Sequence, residues 1–320
     1  MRTRVLTGVA ALAAAVAFAA PAGASQLITR NAIGATLAVN ARGVALVSFR
    51  AGGRAWHVLA AGAINARAPS PTVPQVRFRL DYSGGWRWYR KVIWPHFRNA
   101  CGAYTGPRLA NLVAGCTAAD GTWWALQKWQ PDLPNLGFAP WTARQTSWNL
   151  QISHWTGPLA KMELWRDWTY GGRFHEIFGR FTYRGQPVHG FRSTKTGAAL
   201  DSYARLVHLD THNSRYGKGW RRENSFLLHR TGVFCYGFYR FDPYHGGNVH
   251  PPGYRGGLRG PGVGDRYNVT VDGPGVTPLQ MWEVPDLGDY DPSNQADVAL
   301  ENAMNKLLDS ISGHDPACHH

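Results

Sequence analysis

The chain has 320 residues, enough for one large domain or two small ones with a substantial core, and its formal net charge is +14. Only 17% of its residues are charged, whereas it contains 14 Trp, 13 Tyr, 13 Phe, 37 Gly and 20 Pro. This composition argues against a predominantly helical body. It predicts a mostly β protein, with antiparallel meanders forming a sandwich or a barrel-like body.

The first 24 residues have the pattern of a secretory signal peptide. Arg2 and Arg4 precede an apolar stretch at residues 5–20, and Ala22 and Ala24 match the small-residue pattern that a signal peptidase cleaves. We expect cleavage before Ser25. The apolar stretch is shorter than the roughly 20 residues of a spanning helix, and no later segment approaches that length. The mature protein is therefore predicted to lack a membrane span and to be secreted or held in the cell envelope; the alternative is an uncleaved N-terminal anchor.

The mature chain divides into three predicted regions. Residues 25–74 form an N-terminal β-meander, either separate from the main domain or part of it, and residues 75–290 form the main β-rich domain. Alternating apolar residues and turn signals predict strands at 36–40, 44–50, 54–59, 76–81, 148–153, 162–166, 173–183, 203–211, 226–230, 233–239, 267–271 and 279–284. Residues 83–142 show no clear pattern. Residues 242–265 form a long Gly/Pro-rich loop of a kind that is usually functional or mobile.

The third region, residues 291–320, contains the clearest helix signal. Asp291 can cap a helix, Pro292 suits its first position, and apolar residues recur at helical spacing up to Ile311. The pattern predicts one C-terminal amphipathic helix that packs on the β body. Its apolar stripe could instead bind a partner, but Cys318 just beyond it favours docking within the chain.

Four cysteines are consistent with an oxidising compartment. Their spacing contains neither C-x-x-C nor a zinc pattern, so we expect two structural disulfides. Of the three possible pairings we favour Cys101 with Cys116, which closes a short loop, and Cys235 with Cys318, which holds the chain end.

Charge is unevenly distributed along the mature chain. Residues 283–320 contain eight acids and the single base Lys306, a net −7, which leaves +19 on residues 25–282. Such a body should attract polyanions such as acidic polysaccharides. The alternative is that codon usage in an Ala/Arg/Gly-rich genome has simply increased the arginine content.

Several segments carry a resemblance to a family. The stretches GVALVSFR (43–50), DGTWWALQKWQ (120–130), HWTGPLAKMELW (154–165), GWRRENSF (219–226) and FCYGFY (234–239) resemble an uncharacterised family of secreted proteins from high-GC bacteria. The resemblance covers most of the mature chain and implies one integrated unit. It implies no activity and no catalytic residue.

One short motif could bind a metal. If residues 206–212 form a strand, His208, Asp210 and His212 lie on the same face. Two imidazoles and a carboxylate suit zinc or non-haem iron, and a metal with an open position could activate water for hydrolysis. No other cofactor is expected. The alternative is a polar strand face whose histidines are satisfied by their neighbours.

Other catalytic patterns are weaker. Glu163, Asp167 and Glu176 could pair across the second meander as the acid and base of a glycosidase, or simply as cross-strand partners of basic residues. The sequence has no G-x-S-x-G elbow and no Gly-rich phosphate loop between a strand and a helix.

A run of aromatic and basic residues suggests a binding function. Ring faces stack on sugars, and arginines interleaved with them attract anionic chains. The candidate ligand-binding residues are Trp86, Arg87, Trp88, Tyr89 and Arg90. The sequence thus favours a secreted or envelope-associated protein that binds a polysaccharide or another polyanion, with nucleic acid the less favoured partner. The alternatives are an extracellular metal-dependent hydrolase and a structural envelope protein without a ligand.

Overall fold

The strand and turn patterns of the sequence give a set of antiparallel sheets. The computed structural model describes residues 26–68, 70–129, 147–169, 174–188, 192–193, 199–210, 220–222, 232–240, 266–273, 277–285 and 290–312. All strand pairings among them are antiparallel, which confirms the predicted fold class. The predicted signal peptide, residues 226–230 and the whole 242–265 loop lie outside the described residues.

The strands are numbered in chain order. They are β1 (Gln26–Arg30), β2 (Ile33–Val39), β3 (Ala45–Ala51), β4 (Arg54–Gly62), β5 (Phe78–Asp81), β6 (Gly102–Ala103), β7 (Leu112–Thr117), β8 (Trp123–Trp129), β9 (Asn149–Trp155), β10 (Lys161–Thr169), β11 (Phe174–Tyr183), β12 (Gln186–Pro187), β13 (Arg192–Ser193), β14 (Ala199–Leu200), β15 (Leu206–Asp210), β16 (Trp220–Arg222), β17 (Val233–Arg240), β18 (Arg266–Gly273) and β19 (Thr277–Pro285). The helices are α1 (Trp86–Tyr89) and α2 (Gln295–Ser312), with a 3-10 turn at Trp94–His96.

These strands form four open sheets. Sheet 1 has the order β1-β9-β8-β7-β6 and sheet 2 the order β2-β3-β4-β5. Sheet 3 has the order β10-β11-β17-β16, with β12 beside β11, and sheet 4 the order β13-β14-β15-β18-β19. Each order has two edge strands, so none of the described sheets closes on itself.

Sheets 1 and 2 pack face to face as a sandwich, since alternate residues of their central strands are apolar. Their shared core contains buried side chains from both sheets: Val39, Ala45, Val47, Phe49, Val58, Ala60, Trp124, Leu126, Leu150 and Ile152. Because β1 pairs with β9 and β5 pairs with β4, the N-terminal meander shares its sheets with later strands.

Sheet 1 is buried on its second face as well. Ala125 and Trp155 on that face pack with Met162, Phe181 and Phe234 of sheet 3. The near-continuous burial of β8 and β9 follows from this central position, because a strand that is covered on both faces has no solvent-facing side.

Helix α2 covers the other face of sheet 3, as the amphipathic pattern predicts. Leu308 is buried against Phe178 and Val233, with Met304, Leu307 and Ile311 beside it. The described residues contain no helix that is both long enough and apolar enough to cross a bilayer.

The helix α2 begins three residues later than predicted, at Gln295 instead of Pro292. Asp291 caps a turn instead, since Asn294 N donates to Asp291 O (2.9 Å) and Ser293 N donates to Asp291 Oδ1 (2.9 Å). Asn294 Oδ1 then accepts from Ala296 N (3.0 Å) and caps the helix. Asp291 therefore caps the preceding turn, and Asn294 caps the helix.

One of the two expected disulfides lies within the described residues. Cys101 and Cys116 are bonded, which confirms this pairing and places the bond between the segment after the 3-10 turn and β7. Cys318 lies outside the described residues, so its pairing with Cys235 stays a prediction.

Candidate functional site

The outer face of sheet 2, which points away from sheet 1, is covered by the irregular segment that follows β5. Val44, Leu46, Leu59 and Ala61 are buried on this face, and Trp88, Tyr89, Ile93 and Phe97 pack against them. Because this cover is not a sheet, its backbone needs partners other than a strand ladder.

Asp81 supplies several of those partners. Its buried carboxylate accepts hydrogen bonds from Ser83 N (2.8 Å), Ser83 Oγ and Trp88 N (3.3 Å). Ser83 Oγ in turn accepts from Arg87 N (2.8 Å). These bonds hold the first residues of the short helix α1 against the end of β5.

Two glycines let the segment fold back on itself. Gly84 and Gly85 have φ values of +67° and +114°, and a Cβ at either would lie 2.7 Å from a side-chain atom of Trp94 or Ile93. Ile93 N donates to Gly84 O (2.9 Å) and closes the loop. The far end is held by the disulfide and by Ala100 N, which donates to Val39 O (2.7 Å).

The exposed side chains of this segment, residues 82–98, are mainly aromatic and cationic; we call this surface the aromatic platform. Trp86 is 57% exposed, Tyr82 44% and Trp94 40%. Four exposed bases lie among these rings, and the segment contains no acid: Arg87, Arg90, Lys91 and Arg98. The platform therefore combines exposed aromatic side chains with a net charge of +4.

A histidine of sheet 2 extends the platform. The His57 ring lies flat on Trp94, with ring centroids 3.7 Å apart and planes 5° apart. His57 Nδ1 is 2.9 Å from Ser48 Oγ, directly across the β3–β4 ladder. Burial lowers the pKa of His57, so the ring is neutral near pH 7.

The pair of Ser48 and His57 lacks the other parts of a hydrolytic site. Among the described residues, the hydrogen bond of His57 is to Ser48, and no carboxylate is hydrogen-bonded to the ring as a catalytic triad requires. The arrangement fits a cross-strand hydrogen bond that holds the histidine ring against Trp94.

A second aromatic group lies at the other side of the β3–β4 hairpin. The Arg54 guanidinium is 3.9 Å from the centre of the Trp56 ring, and Trp56 meets Tyr82 edge to face at 6.2 Å. Tyr82 Oη donates to Ile28 O (2.8 Å), which fixes the Tyr82 ring over β1. Arg54, Trp56 and Tyr82 thus form a series of contacts that leads from the β3–β4 hairpin to the platform.

The structure divides the five residues that the sequence singled out. Trp86, Arg87 and Arg90 are exposed, whereas Trp88 and Tyr89 are half-buried and pack on sheet 2. The sequence prediction did not include Tyr82 and Trp94, although both flank the same basic stretch and could have been identified from it. It also missed His57 and Trp56, which only strand pairing brings to the platform.

The proposed metal ligands are only partly described. β15 confirms a strand through His208 and Asp210, whose backbones pair with Thr270 and Asn268 of β18, and His212 lies outside the described residues. The side chains that the structure describes contain no group of three potential metal ligands. The metal site therefore stays a prediction.

The three candidate acid and base residues do not form one set in the strand register. Asp167 lies directly opposite Glu176, but Glu163 lies opposite Arg180. Asp167 is fully buried, which is unusual for a residue that must exchange protons with a solvated sugar. Their glycosidase function stays a prediction.

Comparison with known proteins does not assign a function to this site. No protein-family model, no curated protein and no solved structure matches the chain.

Proposed function

We propose that this is an extracytoplasmic binding protein, secreted or retained in the cell envelope, that recognises an anionic polysaccharide or another polyanion on the aromatic platform. The observation that carries the proposal is the exposure of Trp86 and Trp94 among four bases on a segment without any acid. Nucleic acid is the less favoured partner.

The chemistry of both group types fits such a ligand. An exposed indole face offers stacking for a sugar ring, and stacking on an aromatic side chain contributes about 1–3 kcal/mol per ring in the related case of nucleotide bases. Arginine and lysine attract the charges of the polymer and make binding depend on salt. Because Trp86 is the most exposed ring, its loss should reduce affinity most.

The charge around the platform supports the same ligand class. Residues 26–129 contain 13 bases and only two acids, Asp81 and Asp120. Asp81 is buried beneath the platform, and Asp120 is hydrogen-bonded to Thr122 in the β7–β8 turn. Residues 26–129 therefore carry a net charge of +11, which favours an anionic ligand.

Binding to a sulfated polysaccharide, with neutral dextran as the uncharged probe, tests the proposal. The wild-type protein should bind immobilised heparin at low salt and elute as salt increases. Trp86→Ala should weaken binding about tenfold, since one stacking interaction is lost. Arg87→Gln with Arg90→Gln should lower the eluting salt concentration and flatten the salt dependence.

Matched control variants lie outside the platform. Trp148 is 43% exposed, Arg108 is also exposed, and neither belongs to residues 82–98, so Trp148→Ala and Arg108→Gln should bind like the wild type. If the controls weaken binding as much as the platform variants, the attraction is diffuse and the platform is not the site. Absence of any retention would reject polyanion binding altogether.

The alternatives remain distinguishable by experiment. Elemental analysis of protein purified without chelator tests the metal-dependent hydrolase, with His208→Ala as the variant that should lose the ion. A protein that holds no metal and binds none of the probes would favour a structural envelope component.

A further inference from the structure

A second group of exposed apolar side chains lies at one end of the sandwich of sheets 1 and 2. Nine large hydrophobic side chains are exposed among the described residues, and four of them belong to the platform segment. Another four are Ile33 (70% exposed), Trp148 (43%), Val113 (42%) and Leu112 (39%), which we call the apolar rim.

Hydrogen bonds place the members of the rim next to one another. Trp148 N donates to Asn31 Oδ1 (2.9 Å) and Asn31 N donates to Trp148 O (2.7 Å), two residues before Ile33. Lys128 joins the other side, because its Nζ donates to Ala32 O (2.8 Å) and its backbone N donates to Asn111 O, adjacent to Leu112. The rim is thus one surface built from the ends of five strands.

Two β-bulges direct this surface outward. The β2–β3 register shifts between Ile33 and Thr36, and the β7–β8 register shifts between Leu112 and Ala114, so that Val113 is the extra residue. A bulge bends its strand and changes the direction of a side chain. The two bulges lie at Ile33 and Val113, and both of these side chains are exposed at this end.

Cations surround the rim. Arg30, Arg50, Arg54 and Arg108 are exposed at the ends of β1, β3 and β4 and just before β7. The Lys128 ammonium lies 5.7 Å from the centre of the Trp148 ring. Of the two acids in residues 26–129, Asp120 lies at the opposite end of β7 and β8, and Asp81 is buried.

We infer that the apolar rim docks the protein on an anionic lipid bilayer surface. Branched aliphatic side chains have no flat face for stacking on sugars or bases, but they gain free energy by entering the boundary of an acyl layer. Tryptophan favours the same interfacial depth, and each nearby cation adds attraction to anionic headgroups. The rim differs in this way from the aromatic platform, so the inference is independent of the proposed function.

Co-sedimentation with vesicles tests the inference on the full chain. The wild-type protein should bind vesicles of phosphatidylglycerol and phosphatidylcholine at low salt, and binding should fall on vesicles of phosphatidylcholine alone. Ile33→Asp and Val113→Asp should each reduce partitioning about tenfold or more, because a carboxylate replaces an inserted apolar group. Trp148→Ala should reduce it by a smaller factor.

The platform supplies the matched control. Trp86→Ala should lower heparin binding and leave vesicle binding unchanged, whereas Ile33→Asp should do the reverse. Thermal melting establishes whether each variant is folded. If one of the two Asp variants does not fold, the other still tests the inference. Equal loss of vesicle binding in Trp86→Ala and Ile33→Asp would overturn the inference, as would a wild type that ignores anionic vesicles. A dimer in light scattering that Ile33→Asp dissociates would assign the rim to a second copy of the chain instead.

Discussion

The two faces of sheet 2 are both buried, but they are covered in different ways. The inner face contributes Ala45, Val47 and Val58 to the core it shares with the strands of sheet 1. The outer face is covered by residues 82–98, which contain one helical turn and one 3-10 turn. Each cover includes a stacked His and Trp pair: His154 on Trp124 at 3.9 Å inside, and His57 on Trp94 at 3.7 Å outside.

The difference between the covers lies in what holds them. A strand ladder satisfies its own backbone, so the inner cover needs only alternating apolar residues. The outer cover depends on individual groups: the Asp81 carboxylate, Gly84, Gly85 and the disulfide. We therefore expect substitutions inside the sandwich to lower global stability, and substitutions in the outer cover to act through single, identifiable bonds.

The largest expected effect is on the inner side. Trp124 is fully buried, so Trp124→Ala should lower the free energy of unfolding by about 3–5 kcal/mol. Urea denaturation measures the loss. Trp124→Phe is the control: it retains a ring and removes an indole N–H that has no hydrogen-bond partner among the described residues, so it should cost much less. Equal losses in the two variants would show that ring packing does not determine the inner interface.

Loss of the disulfide should come next and should act on the outer cover. The bond closes a loop with a sequence separation of 15, for which the chain-entropy model gives about 3 kcal/mol. Cys101→Ser with Cys116→Ser should lower stability by up to that amount and make residues 87–98 more sensitive to protease. If the cleavage sites appear in β7 or β8 instead, the disulfide chiefly supports the inner side.

A smaller effect is expected at the turn that begins the platform. Gly85→Ala places a side chain at φ +114° and a Cβ 2.7 Å from Ile93, so it should cost about 1–3 kcal/mol. Gly121→Ala is the control, since Gly121 also has a positive φ but nothing lies near its Cβ. A cost at Gly85 no greater than at Gly121 would mean that the platform adjusts freely. Heparin binding should decrease only in Gly85→Ala.

The smallest effect concerns pH and compares the two histidines. Burial lowers the pKa of His154 below its ordinary value of 6.5, and it lowers the pKa of the more exposed His57 as well. The unfolded chain therefore takes up protons before the folded protein does, and stability falls as pH decreases from about 6.5 through the folded pKa values. Denaturation curves at successive pH values measure this slope.

The hydrogen bonds of His154 identify its share of that slope. His154 Nδ1 is 2.9 Å from Gly62 O and Nε2 is 2.8 Å from Thr122 Oγ1, which also lies 2.6 Å from Asp120 Oδ1. His154→Gln should flatten the stability profile between about pH 7 and 5 more than His57→Gln does, because His154 is the more buried ring. The pKa of Asp120 is lowered mainly by its hydrogen bond with Thr122, so its contribution is lost only at more acidic pH. An unchanged slope in His154→Gln would contradict this assignment.

The positions of many strands along the chain were predictable from the sequence. The predicted strands at 44–50, 54–59, 173–183 and 233–239 correspond to β3, β4, β11 and β17, with ends shifted by a few residues. Their apolar alternation and the glycine turns between them are local signals. Residues 83–142 resisted prediction because α1, the 3-10 turn and the short β6 depend on capping bonds and on a disulfide between distant positions.

The candidate site was predictable in part for the same reason. Trp86, Arg87 and Arg90 were identified from composition, and the exposed part of the platform includes them. That Trp88 and Tyr89 pack on Leu46 and Leu59 could not be read from the sequence, because adjacent aromatic residues in a turn have no fixed periodicity.

The sequence by itself determined that the protein is built from antiparallel β-strands with a C-terminal amphipathic helix, since alternation, turn residues and helical spacing are properties of neighbouring residues. The tertiary structure decided which strands share a sheet, how sheet 1 is covered on both faces, and which rings remain exposed. Those outcomes depend on contacts between residues far apart in the chain, such as His57 with Trp94 and Lys128 with Ala32. A local pattern cannot specify such contacts, because many pairings of the same strands would satisfy it equally well.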